Sequence, residues 1–301
     1  KNVNGQLQSS NYGIISSIGF DPIEKKPLYH FYPGAEILSV GSIGCNLKCR
    51  FCQNWQISQT SIEDFSREGM MYTPEQVARL AQSKKANLGV AYTYNEPTVF
   101  YEYMLHVAEK VKENNQKNIM VTNGFINIEP LNHLHSVIDA YSVDLKAFNN
   151  DFFKSFTKSQ LEPVKKALIN IAHSGKHLEI TNLVIPTLND NPDEFEQMVQ
   201  WIAENTGNET VFHLSRYYPT YQLDIEATPV ETLTRFKEIA RNYLHNVYLG
   251  NVNLPEANNT YCNKCGELVI DRRGYSAQSY SLSSDGECLI CGNQVFKYYK
   301  A

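Results

Sequence analysis

Beyond residue 35 the chain alternates between short apolar runs and longer amphipathic stretches. We predict a strand at each apolar run, namely at 36–42, 88–93, 117–122, 139–144, 177–184, 210–214 and 246–250. Strands that alternate with amphipathic helices are typical of β–α units with a parallel sheet. Six or seven such strands, joined by right-handed crossovers, predict an α/β fold that curls into a full or partial β/α barrel.

Local signals mark where several helices begin and end. Residues 73–76 (Thr-Pro-Glu-Gln) match a capping box with a first-turn proline, and residues 228–231 predict a second cap of this kind. Gly175 and Gly207 are expected to stop helices. We interpret residues 187–190 as a cap for the helix that follows them.

The two ends of the chain differ from its middle. Glycine and proline punctuate residues 1–35, which we expect to form a strand or hairpin against the barrel edge. Residues 251–260 are rich in asparagine and predict a linker. The predicted organisation is an extension at 1–35, a barrel at 36–250, and a linker with a small module at 251–301. The first residue is Lys1 rather than methionine, so we expect further residues upstream.

Composition narrows the class of protein. The net charge is −5 and basic residues occur in no run longer than a pair, which disfavours binding to a nucleic-acid duplex or an anionic membrane surface. No apolar stretch approaches the roughly 20 residues that span a bilayer, and no signal peptide is evident near the start. Together with C-x-x-C spacing, which favours metal sites over disulfides in a reducing compartment, this predicts a cytoplasmic protein.

All seven cysteines fall into two sets with the spacing of metal ligands. Cys45, Cys49 and Cys52 place three thiolates within eight residues, directly after the first predicted barrel strand. Three thiolates can hold three corners of a cubane cluster and leave the fourth iron open. The alternatives are a zinc site with a distant fourth ligand and three ordinary buried thiols.

The triad resembles the signature of the radical S-adenosylmethionine (SAM) superfamily. Its CxxxCxΦC motif is matched by Cys45, Cys49, Phe51 and Cys52, including the aromatic residue before the last cysteine. The resemblance implies a partial barrel of the radical SAM type carrying a 4Fe-4S cluster. In this family the open iron binds the amino and carboxylate groups of SAM. One electron from the reduced cluster then cleaves the sulfonium and releases a 5'-deoxyadenosyl radical.

Polar residues follow several of the later strands, where a β/α barrel carries its working groups. The set resembles the glycyl-radical-enzyme activases, such as pyruvate formate-lyase activating enzymes. That resemblance nominates as SAM contacts Asn95, Glu96, Asn123, Asp144, Lys146 and His213. Val121 stands where the activases have an aspartate, so the resemblance does not extend to a bound monovalent cation.

Three of these positions have structural alternatives. Asp144 and Lys146 point to the same side of a predicted strand, so they can pair with each other instead of contacting a cofactor. His213 lies in an apolar run and is equally compatible with a hydrogen-bonded core histidine.

A wider set of phrases at 21–34, 52–55 and 91–98, together with the cysteine-rich tail, resembles the AmmeMemoRadiSam-system radical SAM enzymes over nearly the whole chain. This resemblance leaves the substrate unidentified, with a protein as one candidate, and implies partners of the Memo-like or AMMECR-like kind. It also implies an electron donor such as flavodoxin or ferredoxin.

The second cysteine set lies in the tail. Its ligands form two C-x-x-C-G knuckles separated by 22 residues: Cys262, Cys265, Cys288 and Cys291. The set resembles a zinc ribbon or rubredoxin-like module, and four thiolates close a coordination sphere, which favours a structural role. Zinc is favoured over iron because it binds thiolates without redox requirements. Five tail aromatics are interpreted as packing for this small module: Tyr275, Tyr280, Phe296, Tyr298 and Tyr299.

These patterns predict a radical SAM enzyme whose deoxyadenosyl radical abstracts hydrogen from an unidentified substrate. The rival hypothesis is a catalytically silent, metal-stabilised scaffold or partner-binding protein.

Overall fold

The computed structural model describes residues 2–7, 9–63, 65, 70–254 and 256–300. Its strands are β1 (Asn2–Val3), β2 (Gln6–Leu7), β3 (Ser17–Pro22), β4 (Glu36–Gly41), β5 (Asn87–Tyr92), β6 (Lys117–Thr122), β7 (Ala140–Asp144), β8 (His177–Val184), β9 (Val211–Arg216), β10 (Val247–Gly250), β11 (Thr260–Tyr261), β12 (Leu268–Arg273) and β13 (Ser276–Ser279). Its helices are α1 (Trp55–Ser58), α2 (Pro74–Gln82), α3 (Tyr101–Glu113), α4 (Ile128–Leu134), α5 (Asn150–Phe152), α6 (Leu161–His173), α7 (Pro192–Thr206) and α8 (Val230–Arg241). A π-helical turn at Phe153–Thr157 continues α5, and 3₁₀ turns lie at Ile23–Lys25 and Pro97–Phe100.

The main sheet has eight strands in the order β10-β9-β8-β7-β6-β5-β4-β3. Strands β4 to β10 are parallel, and β3 pairs antiparallel with β4 along its whole length. Within the described residues β3 and β10 are the sheet's two edges, so the sheet forms a partial barrel rather than a closed one. The seven predicted barrel strands and the α/β fold are thereby confirmed.

The two faces of the sheet pack against different parts of the chain. One face packs against the helices through residues such as Val90, Met120 and Ile180. On the opposite face Ile119 and Ala140 belong to a smaller cluster with residues that follow β3, namely Ile23, Leu28 and Phe31. The segment after β3 therefore lies across the concave side of the sheet. Sequence analysis expected this part of the chain at the barrel edge, which describes β3 but not the segment after it.

Helix limits follow local sequence where the capping side chain has no other partner. Thr73 forms the predicted capping box with Gln76, and Gly207 ends α7 at φ 95°. The cap predicted at Thr228 is wrong, because its buried hydroxyl instead donates to Val184 O at 2.6 Å. The cap predicted at 187–190 is also wrong, since the side chain of Asn191 caps α7.

The tail forms a separate small sheet, β11-β12-β13, with antiparallel pairing. Phe296 and Tyr299 pack in its core with Val269 and Ile270, as predicted, whereas Tyr275 and Tyr280 are exposed. The division of the chain at 35/36 and 250/251 stays a prediction. In the part of the chain that the structure describes, no helix combines the length and apolarity needed to cross a membrane.

Candidate functional site

A cavity of about 890 Å³ lies at the carboxyl ends of the parallel strands. Its size falls toward the upper end of the range of roughly 300–1,000 Å³ typical of small-molecule sites. Three parts of the chain form its walls: the ends of the barrel strands, the segment after β3, and the turn between β12 and β13. All three cysteines of the triad line it, together with every residue nominated as a SAM contact.

Hydrogen-bonding groups lie near two of the three triad sulfurs, those of Cys45 and Cys52. The Leu47 amide nitrogen is 3.4 Å from Cys45 Sγ, and Asn123 Nδ2 is 3.8 Å from the same sulfur. Ser58 Oγ lies 3.1 Å from Cys52 Sγ. Such donors stabilise thiolate ligands of a metal centre, so this donor set fits the iron–sulfur cluster that the family signature implies.

Burial shapes the acidity of two of these thiols. It raises the pKa of Cys45 to about 12 and that of Cys49 to about 11. Thiols with such pKa values stay protonated at neutral pH unless a cation binds them. Burial therefore disfavours a free nucleophilic thiolate at Cys45 or Cys49.

Asn95 holds the cysteine loop in place. Its Oδ1 accepts a 3.0 Å hydrogen bond from the Ser42 amide, and its Nδ2 donates to Gly44 O at 2.8 Å. Gly41 permits the close approach, because a Cβ there would lie 2.8 Å from Thr93 O. The structure thus gives Asn95 a positioning role, and its contact with SAM stays a prediction.

Glu96 is buried and its carboxylate is well bonded. It accepts from Thr122 Oγ1 at 2.9 Å and from the amides of Asn123 and Thr98 at 2.8 and 3.1 Å. Burial raises the pKa of Glu96 despite these bonds. Asn123 in turn donates to Asn46 Oδ1 at 2.8 Å, which connects the end of β6 to the cysteine loop.

Asp144 and Lys146 form an ion pair of 3.0 Å at the cavity wall, as the structural alternative allowed. Burial disfavours the ammonium charge, but Asp144 and the Cys49 thiol raise the pKa of Lys146 overall. Its Nζ lies 5.9 Å from the ring centroid of Phe51. The pair places both charge signs beside the triad, which suits the ammonium and carboxylate of an amino acid.

His213 belongs to a buried polar network. Its Nε2 donates to Glu179 at 2.6 Å, and His177 donates to the same carboxylate at 2.9 Å. The backbone amides of Tyr29 and His30 complete the set at 2.9 and 2.7 Å. Burial opposes the charge, but the two histidines hold the pKa of Glu179 well below its usual range. The core alternative for His213 is therefore what the structure shows, although His213 also lines the cavity.

Arg272 extends this network into the tail module. It donates to Tyr29 O at 2.8 Å, to Asn258 O at 3.0 Å and to Thr260 Oγ1 at 2.6 Å. Its guanidinium lies 4.3 Å from the Tyr29 ring centroid, and its Nε is 3.8 Å from Glu24 Oε1. A buried arginine thus connects the tail, the concave face and the segment after β3.

Sequence analysis missed Glu24, Glu179 and Arg272. A signal existed for Glu179, because polar residues alternate with apolar ones along β8 at His177, Glu179 and Thr181. When one face of a strand packs against helices, polar residues that alternate with apolar ones are expected on its other face. No comparable signal marks Arg272, whose exposed neighbour Arg273 is of the same type.

The four tail cysteines converge as predicted. Their sulfurs all lie within 4.8 Å of one another. Cys262 and Cys291 are 3.6 Å apart at Sγ, as are Cys265 and Cys288. Sulfurs in a tetrahedral tetrathiolate site with Zn–S bonds of about 2.3 Å are separated by roughly 3.8 Å, so this geometry fits a closed metal site.

The fold and the three-cysteine cavity define an α/β partial barrel of the kind that holds an iron–sulfur cluster at its strand ends. Residues 40–202 match the model of the Radical SAM superfamily. Because this match spans more than half of the 301 residues, the chain belongs to the radical SAM superfamily.

Individual relatives are similar to this chain over much of its length. An uncharacterised protein of Methanocaldococcus jannaschii is 41% identical over 302 residues, covering 98% of this chain and 88% of that protein. Streptococcus suis SuiB bound to S-adenosylmethionine aligns with TM-score 0.58 and 17% identity, covering 77% of this chain and 54% of SuiB. A radical SAM methyltransferase from Sphaerobacter thermophilus aligns with TM-score 0.56 and 17% identity, covering 79% and 71%. At these identities the two structures show the shared fold alone.

Proposed function

We propose that the protein reductively cleaves SAM and uses the resulting 5'-deoxyadenosyl radical to abstract hydrogen from a substrate. The observation that carries this proposal is the convergence of Cys45, Cys49 and Cys52 with the Asp144–Lys146 pair on one cavity. When bound by the triad, a 4Fe-4S cluster would supply the electron that splits the sulfonium into methionine and the deoxyadenosyl radical. The chain's own residues would bind and orient SAM and enclose it in the cavity.

Each residue near the triad has a role in this proposal. Asp144 attracts the SAM ammonium and Lys146 its carboxylate, because each charge lies beside the cluster ligands. Phe51 packs beneath Lys146, while Glu96, Asn123 and His213 line the same cavity and are proposed to bound the adenosine part. Asn95 acts through the loop that it holds.

The substrate is proposed to be a protein or peptide, and the reaction to be activase-like. One support is that SuiB has been solved with its precursor peptide SuiA. Another is the resemblance to the AmmeMemoRadiSam system, which makes Memo-like or AMMECR-like proteins the first partners to test. Reduction requires a one-electron donor, for which we propose a flavodoxin or ferredoxin.

The tail site is proposed to hold zinc in a structural role. The sulfur–sulfur distances fit a tetrathiolate, and the small core of β11–β13 is built around two of its cysteines, Cys262 and Cys288. A segment of this size gains its stability largely from the metal. Metal analysis tests the assignment, because a ferric tetrathiolate is coloured and a zinc site is not.

The experiment is anaerobic reconstitution with iron and sulfide, reduction with dithionite, and measurement of deoxyadenosine. We expect the wild type to form deoxyadenosine, and Cys45→Ala, Cys49→Ala and Cys52→Ala each to abolish it. Cys265→Ala is the matched control, since it removes a thiol from the tail and should retain the 4Fe-4S absorbance. Full activity of any triad variant would contradict the proposal. A wild type that loads the cluster and binds SAM without cleaving it would favour the silent scaffold instead.

A further inference from the structure

The cysteine loop has two chemically different faces. Its thiols line the cavity, whereas the residues on either side of Cys49 have exposed side chains. These two residues are the cations Lys48 and Arg50. Cys49 itself is only 8% exposed, so an exposed cation precedes and follows a buried, predicted cluster ligand along the chain.

A second segment adds to this charge. The Lys48 amide donates to Thr157 O at 2.8 Å, and the Arg50 amide donates to Phe156 O at 3.0 Å. These bonds align the cysteine loop with the turn that carries the exposed Lys154 and Lys158.

We call the set Lys48, Arg50, Lys154 and Lys158 the basic face. None of the four forms an ion pair with an acidic residue in the described part of the chain, although Asp151 and Asp224 occur on adjoining segments. Unpaired cations beside a redox loop stand out in a chain of net charge −5.

An exposed aromatic pair adjoins the basic face. The rings of Trp55 and Tyr221 are stacked with centroids 5.2 Å apart and 13° between their planes. They remain 40% and 39% exposed. The Gln222 amide donates to Arg50 O at 3.0 Å, which fixes this pair next to the loop. Aromatic contacts beside unpaired arginine are typical of protein–protein interfaces.

We propose that the basic face and the Trp55–Tyr221 pair dock an acidic one-electron carrier protein. The proposal rests on the function proposed above, because only a reducible cluster needs such a carrier. Each encounter passes one electron from the reduced carrier to the cluster; the carrier is oxidised by one electron, the cluster is reduced by one, and no bond is exchanged. Positive charge flanking Cys49 steers the carrier to the shortest route toward a cluster ligand.

The test uses the double variant K154E/K158E, which leaves the cysteine loop unaltered. Its matched control is K85E/K166E, which makes the same change of charge at exposed lysines elsewhere. The probe is purified flavodoxin, with a purified ferredoxin as a second arm, and the first readout is Kd at low and at high salt. We expect K154E/K158E to bind at least about tenfold more weakly at low salt and the control to stay within about twofold, since exposed charges act mainly on encounter.

The second readout separates this proposal from the proposed function. Deoxyadenosine formation driven by reduced flavodoxin should fall in K154E/K158E, while formation driven by dithionite should match the wild type. A wild type inactive with dithionite would remove the proposed function but leave the binding result interpretable. Equal carrier affinity in wild type and K154E/K158E would overturn the docking proposal. So would failure of both carriers to bind the wild type, or tighter binding of a single-stranded oligonucleotide that K154E/K158E loses.

Discussion

Replacing Arg272 with methionine should release the tail module from the barrel. The Arg272 side chain is fully buried and donates three hydrogen bonds, to Tyr29 O, Asn258 O and Thr260 Oγ1. Of these, the bond to Tyr29 reaches the segment that covers the concave face of the sheet. Methionine keeps much of the apolar packing but provides no donor and no charge.

The size of the effect follows from the buried Glu24 carboxylate, which loses its charged partner in R272M. Glu24 is fully buried with one oxygen 3.8 Å from Arg272 Nε, and its other oxygen has no hydrogen-bond partner among the described residues. Removing one member of a buried ion pair costs about 3–5 kcal/mol, because the remaining charge stays desolvated. Since about 1.4 kcal/mol corresponds to a factor of ten, the undocked population should rise roughly a hundredfold to several thousandfold.

Hydrogen exchange read by mass spectrometry measures this population directly. In R272M the Tyr32 amide, which donates to Tyr298 O in the tail at 2.9 Å, should exchange faster by that factor, while the amides of β5 to β8 keep wild-type rates. The control is R273M, because Arg273 is 88% exposed in its side chain and, among the described residues, pairs only with Asp271 at 3.2 Å. Such a surface pair is worth about 0–1 kcal/mol, so exchange should barely change.

Equal exchange in R272M and R273M would refute the reasoning. Metal content of the tail must stay at the wild-type level, which shows that the module is undocked rather than unfolded. Should R272M lose the metal, the double variant R272M/E24Q tests whether loss of the Glu24–Arg272 contact causes the effect. Removing the unpaired carboxylate should restore part of the protection if the Glu24–Arg272 contact is the cause.

Three further outcomes follow from the same contacts. Burial raises the pKa of Glu24, so the docked state of R272M binds a proton more readily than the undocked state. The docked state is therefore stabilised below the unfolded pKa of Glu24, and this stabilisation is lost as pH rises through the folded pKa. Hydrogen exchange in R272M should accordingly slow on mild acidification. Asn95→Ala removes two hydrogen bonds to the cysteine loop, each worth about 1 kcal/mol. The amount of iron and sulfide bound per chain after reconstitution should therefore fall, while the melting temperature changes little. Chelation of the tail metal should expose four reactive thiols and abolish exchange protection in β11–β13, while the barrel strands stay protected.

The seven parallel strands could be predicted because their apolar runs are bounded by turn residues, and the repeat of strand and helix admits few topologies. The triad could be predicted because its ligands lie within eight residues, a spacing short enough for one loop. Both signals are local. For these strands and for the triad, the order and spacing of residues along the chain were enough for the prediction.

The polar network could not be predicted, because its members meet only through the fold. Glu179 and His213 are 34 residues apart, and Tyr29 and Arg272 are 243 apart. Thr228 illustrates the opposite failure, in which a local signal was overridden by a buried bond to Val184 O. The bonds of the Asn95 amide to the loop backbone were likewise not predicted, whereas its contact with SAM stays a prediction. In each case tertiary hydrogen bonding decided what a polar side chain does.

The tail metal site and the cavity are connected by the chain itself. Gly274 and Tyr275, at the turn between β12 and β13, line the cavity, and they follow directly after Arg272 and Arg273. Because β12 packs in the core around Cys262 and Cys288, a metal bound at the four tail cysteines would fix one wall of the cavity without contacting the triad. Arg272 transmits that position to Tyr29, which lines the cavity from the opposite segment. The structural metal proposed for the tail would therefore shape the cavity in which the proposed chemistry takes place.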